Sequence, residues 1–336
     1  MSHVTKKPVL ILGGSGVVGR HTAKTLRRLH PDLPLAIGAR DLDRAGALAK
    51  ELGHATAAKI DLDRPDLGLP ADAAFSAVVT LLKDETLNSA KYAQSRGLPY
   101  IAFSDWIFEM GPLVARYVHA PASAPILFLG HILGGTSTLS TLHFAKELRR
   151  VDSIELAVVL DEDDVGGPSA QGDFERVEKA VSSYLLRKEG KWHWATEADA
   201  RGPIKDAAGA ELAARGLSVF DTLSLATATG APSVRVDMAI RPKASRAPGK
   251  GISHEIIVEL HGEKNDGTVG TIRHEIVYGI GHSESSAWGA ALAVERLLGL
   301  AGGPPVEAGL HFPERLLDPA YVVERIKEFG ARVKRA

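Results

Sequence analysis

Cysteine is absent from this sequence. That excludes disulfides, thiolate nucleophiles and any zinc or iron–sulfur site ligated by cysteine. Neither sign of charge is in excess, since 40 Lys and Arg stand against 41 Asp and Glu. The balance removes the electrostatic ground for binding nucleic acid or an acidic membrane surface. Long apolar runs are missing too. The stretch that starts at Val9 is of strand length and is broken at Gly13, so it reads as neither a signal peptide nor a membrane span. The expected compartment is the cytoplasm. No repeat of solenoid length and no low-complexity tract interrupts the 336 residues.

What is present is enough apolar side chain, 45 % of the residues, to fill substantial cores. The length suits two domains of ordinary size. Strands are expected at Val9–Leu12, Leu35–Ala39, Thr56–Ile60, Ala77–Leu82, Tyr100–Phe103 and Ile126–Leu129. Between them, helices are expected at Val18–Leu29, Leu42–Leu52 and Glu85–Ser95. Continuously apolar strands separated by helices predict a parallel sheet covered on both faces. Residues 1–130 therefore read as a doubly wound α/β domain of the Rossmann type.

The pattern changes after about residue 150. Ile154–Leu160 reads as a strand, and Phe174–Leu186 as a helix with Phe174, Val177, Val181 and Leu185 aligned. Val234–Ile240, Glu255–His261 and Val269–Ile280 alternate with period two, which predicts an open, mainly antiparallel sheet in an α+β domain over 131–282. Lys243–Gly251 is a basic turn containing Pro and Gly, expected to be mobile. Trp192 and Trp194, alternating around His193, read as core. His254, His261 and His274 form no metal-type constellation and read as structural. The helix "SESSAWGAALAVERLLG" opens a last segment, 283–336, expected to return to the first domain.

Gly14, Gly16 and Gly19 give G-x-G-x-x-G between a strand and a helix. The first glycine allows a tight turn, the second lets a diphosphate approach the backbone, and the third brings helix and strand together. Amides of Ser15, Gly16, Val17 and Val18 then face the anion at the helix start. The alternative is a tight turn in a protein that has lost its ligand. A P-loop is excluded because Arg20 and His21 follow Gly19, and a hydrolase elbow because Val17 stands two residues after Ser15.

An NAD site places an acid about 20 residues past the glycines. That count reaches Gly38-Ala39-Arg40, with no acid. Ala39 leaves room for a ribose 2′-phosphate and Arg40 can bind it bidentately, so NADP(H) is favoured over NAD(H). Asp41 and Asp43 lie just beyond and complicate this reading, and Arg40 would equally serve as a solvated loop residue. Asp61, ending the third strand, is placed either to contact the adenine or to cap a turn. Leu81 and Leu82, closing the fourth, complete the expected cofactor set.

The glycine turn, "GAR" at 38–40 and "LLKDETLNSAKYAQSRGLPYIAFSD" at 81–105 together resemble the saccharopine dehydrogenase-like NAD(P)-binding family. The ending "GLHFPERLLDPAYVVERIKEFGARV" at 309–333 is similar to the tails of that family. The resemblance implies a nucleotide domain, a second domain whose open sheet often mediates dimerisation, and a small substrate held between them. It implies reduction of imines or formation of secondary amines from amino acids and keto acids or aldehydes, with amino-acid dehydrogenases, lipid-related reductases and members without an assigned activity also in the family. Many members carry an Asp-Pro-Gly-type turn after the sixth strand. Here Gly130-His131-Ile132-Leu133-Gly134-Gly135 stands there, so the aspartate's role does not transfer. Leu82-Lys83-Asp84 places the chain nearest a subgroup of unassigned substrate.

In an open parallel sheet the reacting groups stand beyond the carboxyl ends of the strands. That selects Lys83 and Asp84, Ser104 and Asp105, and His131. His131 suits a proton donor, Asp105 a holder of substrate ammonium, and Lys83 a group that polarises a carbonyl. Each has a plainer reading: a helix-start histidine, an N-cap and a solvated lysine. The acidic loop Leu160–Phe174 would attract a cationic amine, or be a solvated loop; its acids lack EF-hand spacing. Two functions follow, an NADP(H)-dependent oxidoreductase and a catalytically silent NADP-binding protein.

Overall fold

The computed structural model describes residues 7–180, 183–199, 202–246 and 251–336. Its first series is β1 (Val9–Leu12), α1 (Val17–Leu29), β2 (Leu35–Ala39), α2 (Leu42–Leu52), β3 (Ala55–Lys59), β4 (Ala77–Thr80), α3 (Asn88–Ser95), β5 (Tyr100–Ala102), α4 (Gly111–His119) and β6 (Pro125–Phe128). A second series runs α5 (Thr136–Ala145), β7 (Leu148–Asp161), α6 (Pro168–Ala180), β8 (Leu185–Lys188), β9 (Lys191–Trp194), β10 (Ile204–Lys205), β11 (Glu211–Leu212), β12 (Ala214–Gly216), α7 (Phe220–Thr229), β13 (Ser233–Arg241), β14 (His254–Lys264) and β15 (Val269–Tyr278). The chain closes with α8 (His282–Leu297), β16 (Gly309–His311), α9 (Pro319–Glu328) and β17 (Arg332–Arg335). Two compact units result, Met1–Gly130 with Ser286–Leu317, and His131–Ser285 with Asp318–Ala336.

The first unit is a parallel sheet in the order β16-β6-β5-β4-β1-β2-β3. Every residue of β1, β2, β4, β5 and β6 is buried, as strands covered on both faces must be. β3 lies at an edge and is mostly exposed. α2 has the boundaries expected of it, because Asp41 caps its first amides and Gly53 (φ +61°) ends it. Ala290, Ala291, Ala293, Val294 and Leu297 of α8 join the core formed by β1, β2, α1 and α2. His30 at the end of α1 meets buried Glu295 of α8 at 2.8 Å.

The second unit holds an eight-stranded sheet, β17-β15-β14-β7-β13-β8-β9, with β12 beside β13. All its pairings are antiparallel except β7 with β13. Ile154, Leu156 and Val158, Val234 and Val236, and Ile256, Val258 and Leu260 are buried along one face. In that unit α5 packs against α7 and α9 and reaches β7 and β14. On the other face the hairpin β10-β11 buries Ile204 and Leu212 against Ala157, Val159, Ala239 and Ile257.

Several expectations are corrected. The helix expected over Phe174–Leu186 is described over Pro168–Ala180, and Leu185 opens β8 instead of continuing it; Val181 lies outside the described residues. Aligned apolar positions carried across a strand produced the overrun. Trp192 and Trp194 are not core: they are 42 % and 52 % exposed on β9, the edge strand of its sheet. The segment 283–336 divides. Ser286–Leu317 belongs with the first unit, where β16 adds a seventh strand beside β6, whereas β17 pairs with β15 in the second. The mobile turn expected at Lys243–Gly251 is described only in part, as 247–250 lie outside the described residues.

Candidate functional site

Strand order reverses between β1 and β4, which flank each other through Leu12 and Thr80, with β2 on the other side of β1. A crevice at such a reversal, beyond the carboxyl ends of the strands, is where open α/β sheets bind ligands. The glycine loop follows β1 there. Gly13, to which the motif assigned no role, makes the left-handed turn at φ +78°. Its amide and that of Gly14 both donate to the Gly38 carbonyl, at 3.0 and 3.1 Å. A Cβ on Gly14 would lie 2.8 Å from the Ile11 carbonyl, and one on Gly19 only 2.2 Å from the Gly13 carbonyl. Loop, strand and helix thus meet backbone to backbone.

Gly16 is the N-cap of α1 and brings no side chain to cap it. The first-turn amides of Val17, Val18 and Gly19 have no intrahelical carbonyl to bond. Such a cradle, closed to side chains and rich in donors, fits the diphosphate of a dinucleotide.

At the end of β2, Ala39 is buried and Arg40 exposed, and Arg40 has no ion-pair partner among the described residues. Asp41 is partly committed: its Oδ1 accepts from the amides of Asp43 (3.0 Å) and Arg44 (3.2 Å). Sequence reasoning missed Arg44, whose Nη2 donates to the Ser15 carbonyl at 3.4 Å. Its only sequence signal was a place on the first turn of α2. Asp61 is exposed and accepts from the Asp63 amide at 3.1 Å, so it does form a turn. Leu81 is buried and its amide donates to the Leu12 carbonyl at 3.1 Å. Leu82 packs on the glycine loop, its Cδ2 3.1 Å from where a Gly13 Cβ would stand.

Lys83 follows directly. Its Nζ donates to Asp105 Oδ1 at 2.7 Å and lies 3.5 Å from Glu109 Oε2. The three side chains are 18 %, 16 % and 14 % exposed, so this ammonium and its carboxylates are largely withdrawn from water. Two candidates from different strand ends are therefore brought together, and Glu109, missed in the sequence, joins them. Glu109 also accepts from the Trp106 amide at 3.0 Å. Asp84 serves structure instead. It is buried and accepts from the Thr86 and Ser89 amides and hydroxyls at the head of α3. Ser104 is buried as well.

His131 lies in the second unit and is 5 % exposed. Its Nε2 meets Ser224 Oγ at 2.9 Å and its ring stacks on Phe220. Burial pushes its pKa down to about 4, against a small opposing pull from Asp221. His254, fully buried between the Ile280 carbonyl and Ser285 Oγ, is likewise pushed down to about 4 by burial. Both imidazoles are neutral at pH 7.

The unfolded chain takes up these protons near the ordinary histidine value while the folded chain refuses them. Stability from this source is complete above about pH 6.5 and is lost as pH falls from there to about 4, by about 3 kcal/mol per histidine. Urea melts across that window should show the loss, and His131→Asn should reduce it. An unchanged slope in that variant would refute the assignment.

The acidic loop is not a free cation trap. Arg246 pairs with Asp161 and Asp163, holding both carboxyls below the usual range. Lys243 adds a 3.1 Å contact to Asp163, and His282 lies 2.9 Å from Asp164. His274 is buried against Phe144 and Glu147, while His261 is exposed and contacts Thr271. Among the described residues no cluster of three His, Asp or Glu could hold a metal ion, and no helix is long and apolar enough to cross a membrane.

No family model and no curated protein matches the chain. Solved structures do. A saccharopine dehydrogenase (L-Glu forming) from Saccharomyces cerevisiae aligns over 98 % of this chain and 100 % of its own, with TM-score 0.64 and 14 % identity. An oxidoreductase from Agrobacterium radiobacter, solved with NAD+, L-tartaric acid and magnesium, aligns over 98 % of both chains, with TM-score 0.50 and 15 % identity. Identities this low speak to backbone architecture, and by that measure the chain shares the fold of a saccharopine dehydrogenase.

Proposed function

We propose that this protein is an NAD(P)-dependent oxidoreductase that works with NADP(H) on the C=N or C=O group of a small amino-acid-derived metabolite, or on the reverse oxidation. One observation carries the reading. The donor-rich glycine cradle after β1 and the Lys83–Asp105 pair after β4 stand at the ends of two adjacent strands, joined by Leu82. The amides of Ser15, Val17, Val18 and Gly19 would hold the diphosphate, the Gly16 amide expected to join them being bonded instead to the Gly13 carbonyl at 2.9 Å, with Ala39 and Arg40 at the ribose, Asp61 at the adenine, and Leu81 and Leu82 lining the way to the ring. When bound, the nicotinamide supplies or accepts the hydride.

The chain supplies the proton. Lys83 would deliver it from Nζ, which Asp105 and Glu109 orient. His131 is a poor general acid at neutral pH, because burial keeps it unprotonated. That observation favours the second reading, a silent cofactor-binding protein, if Lys83 proves dispensable.

NADPH should raise the melting temperature, since a ligand bound to the folded state alone stabilises it. Oxidation of NADPH with some member of an amine-plus-carbonyl panel, followed by absorbance, tests the enzyme reading; silence across the panel and its reverse oxidations would leave the binding protein. Arg40→Ala should weaken NADPH by about tenfold or more and NADH by less than about threefold. Equal losses would remove the phosphate argument.

A further inference from the structure

We infer that Arg44 is a second determinant of coenzyme choice, holding the ribose 2′-phosphate together with Arg40 and tying that group to the glycine loop. The inference rests on the coenzyme reading above and extends it to a residue that the sequence motif does not reach.

The argument starts from a bond that crosses the chain. Arg44 stands at the third position of α2, yet its Nη2 donates to the carbonyl of Ser15, 29 residues earlier, between Gly14 and Gly16. The guanidinium therefore sits beside the cradle. At 3.4 Å the bond is long for N–H···O, and a guanidinium has five donors, so most of its capacity is uncommitted. Arg44 is exposed and makes no ion pair among the described residues. A planar fork in this state suits a dianionic phosphate, to which charge-assisted bonds are shorter and about twice as strong as neutral ones.

The acids nearby do not cancel it. Asp41 lies between the two arginines in sequence, but its Oδ1 is fixed on the first amides of α2. Asp43 is the opposing group: it is exposed, and its carboxylate makes no hydrogen bond or ion pair among the described residues. Successive residues on a helix project about 100° apart. The bond from Arg44 to Ser15 shows that the arginine, not Asp43, is the one turned to the loop. Arg40 leaves the end of β2 four residues earlier, exposed and without an ion-pair partner among the described residues. Two cations thus stand at, and four residues past, the place where an NAD site carries an acid.

Isothermal titrations of the full chain at one fixed salt concentration test this, with NADPH, NADH, 2′,5′-ADP and 5′-ADP as probes; salt is held because charge contacts are screened. Arg44→Ala is expected to weaken NADPH and 2′,5′-ADP by about 10- to 100-fold, and to leave NADH and 5′-ADP within about threefold. Arg44→Lys, which keeps the charge and loses the fork, should fall between wild type and alanine. If Arg44→Ala weakens NADPH and NADH equally, Arg44 only braces the loop and the inference fails. It also fails, alone, if Arg40→Ala abolishes the preference for NADPH and Arg44→Ala does not alter it. A wild-type chain that binds NADH at least as tightly as NADPH, or binds neither, overturns the coenzyme reading and the inference with it.

Discussion

Lys83→Met is expected to lower kcat/KM by about 10²- to 10⁴-fold, the range for removing a positioned general acid, while NADPH affinity stays within about threefold. The expectation follows from where the ammonium is and what holds it. Lys83 lies just past β4 at the strand-order reversal, with Asp105 at 2.7 Å and Glu109 at 3.5 Å, all three largely buried. Methionine keeps the length of the side chain and removes the proton and the charge.

Lys83→Arg separates two roles. An arginine keeps the ion pair but does not release a proton at any working pH. Recovery of activity in that variant would make Lys83 an electrostatic group, and failure would make it the donor. Asp105→Asn should cost less, about tenfold, because Glu109 still faces the ammonium. Turnover of Lys83→Met within about threefold of wild type, with a substrate in hand, would end the assignment.

Gly19→Ala is expected to abolish measurable NADPH binding and to destabilise the fold by about 3 kcal/mol, the upper end of ordinary overpacking. The new Cβ would lie 2.2 Å from the Gly13 carbonyl oxygen, 2.6 Å from Gly14 Cα and 2.8 Å from Gly14 C. All three are backbone atoms, so no side chain can swing aside. Relief requires α1 to move off β1, which carries the first-turn amides away from the cradle.

Gly46→Ala is the control. Gly46 lies within α2 with nothing within 4 Å of an added Cβ, so alanine there should stabilise by about 0.5–1 kcal/mol. Urea melts and NADPH titrations of both variants check the pair. Native-like binding and stability in Gly19→Ala would mean that helix and loop are not as close as described.

Much of the first unit was legible because its signals are local. β1 and β2 have the ends read from their apolar runs, α2 is bounded by Asp41 and Gly53, and the glycine loop sits where the motif places it. Besides α4, which went unread, what failed there was short or subtle. β16 is three residues long and earns its place only by pairing with β6, and the left-handed turn falls on Gly13, outside the motif. In the second unit, period-two alternation predicted β13, β14 and β15 in a mainly antiparallel sheet, but it does not say which strands pair, so the one parallel pairing, β7 with β13, was invisible.

The sequence alone determined the layered α/β half, the donor-rich bend after β1 and the absence of an acid at the end of β2, because each depends on residues within a few positions of one another. Tertiary structure alone decided that Lys83 meets Asp105 and Glu109, that Arg44 reaches Ser15, that Arg246 neutralises Asp161 and Asp163, and that His131 is buried and neutral. Those outcomes turn on distance and on exclusion of water between side chains from different elements. Both quantities exist only once the chain has folded.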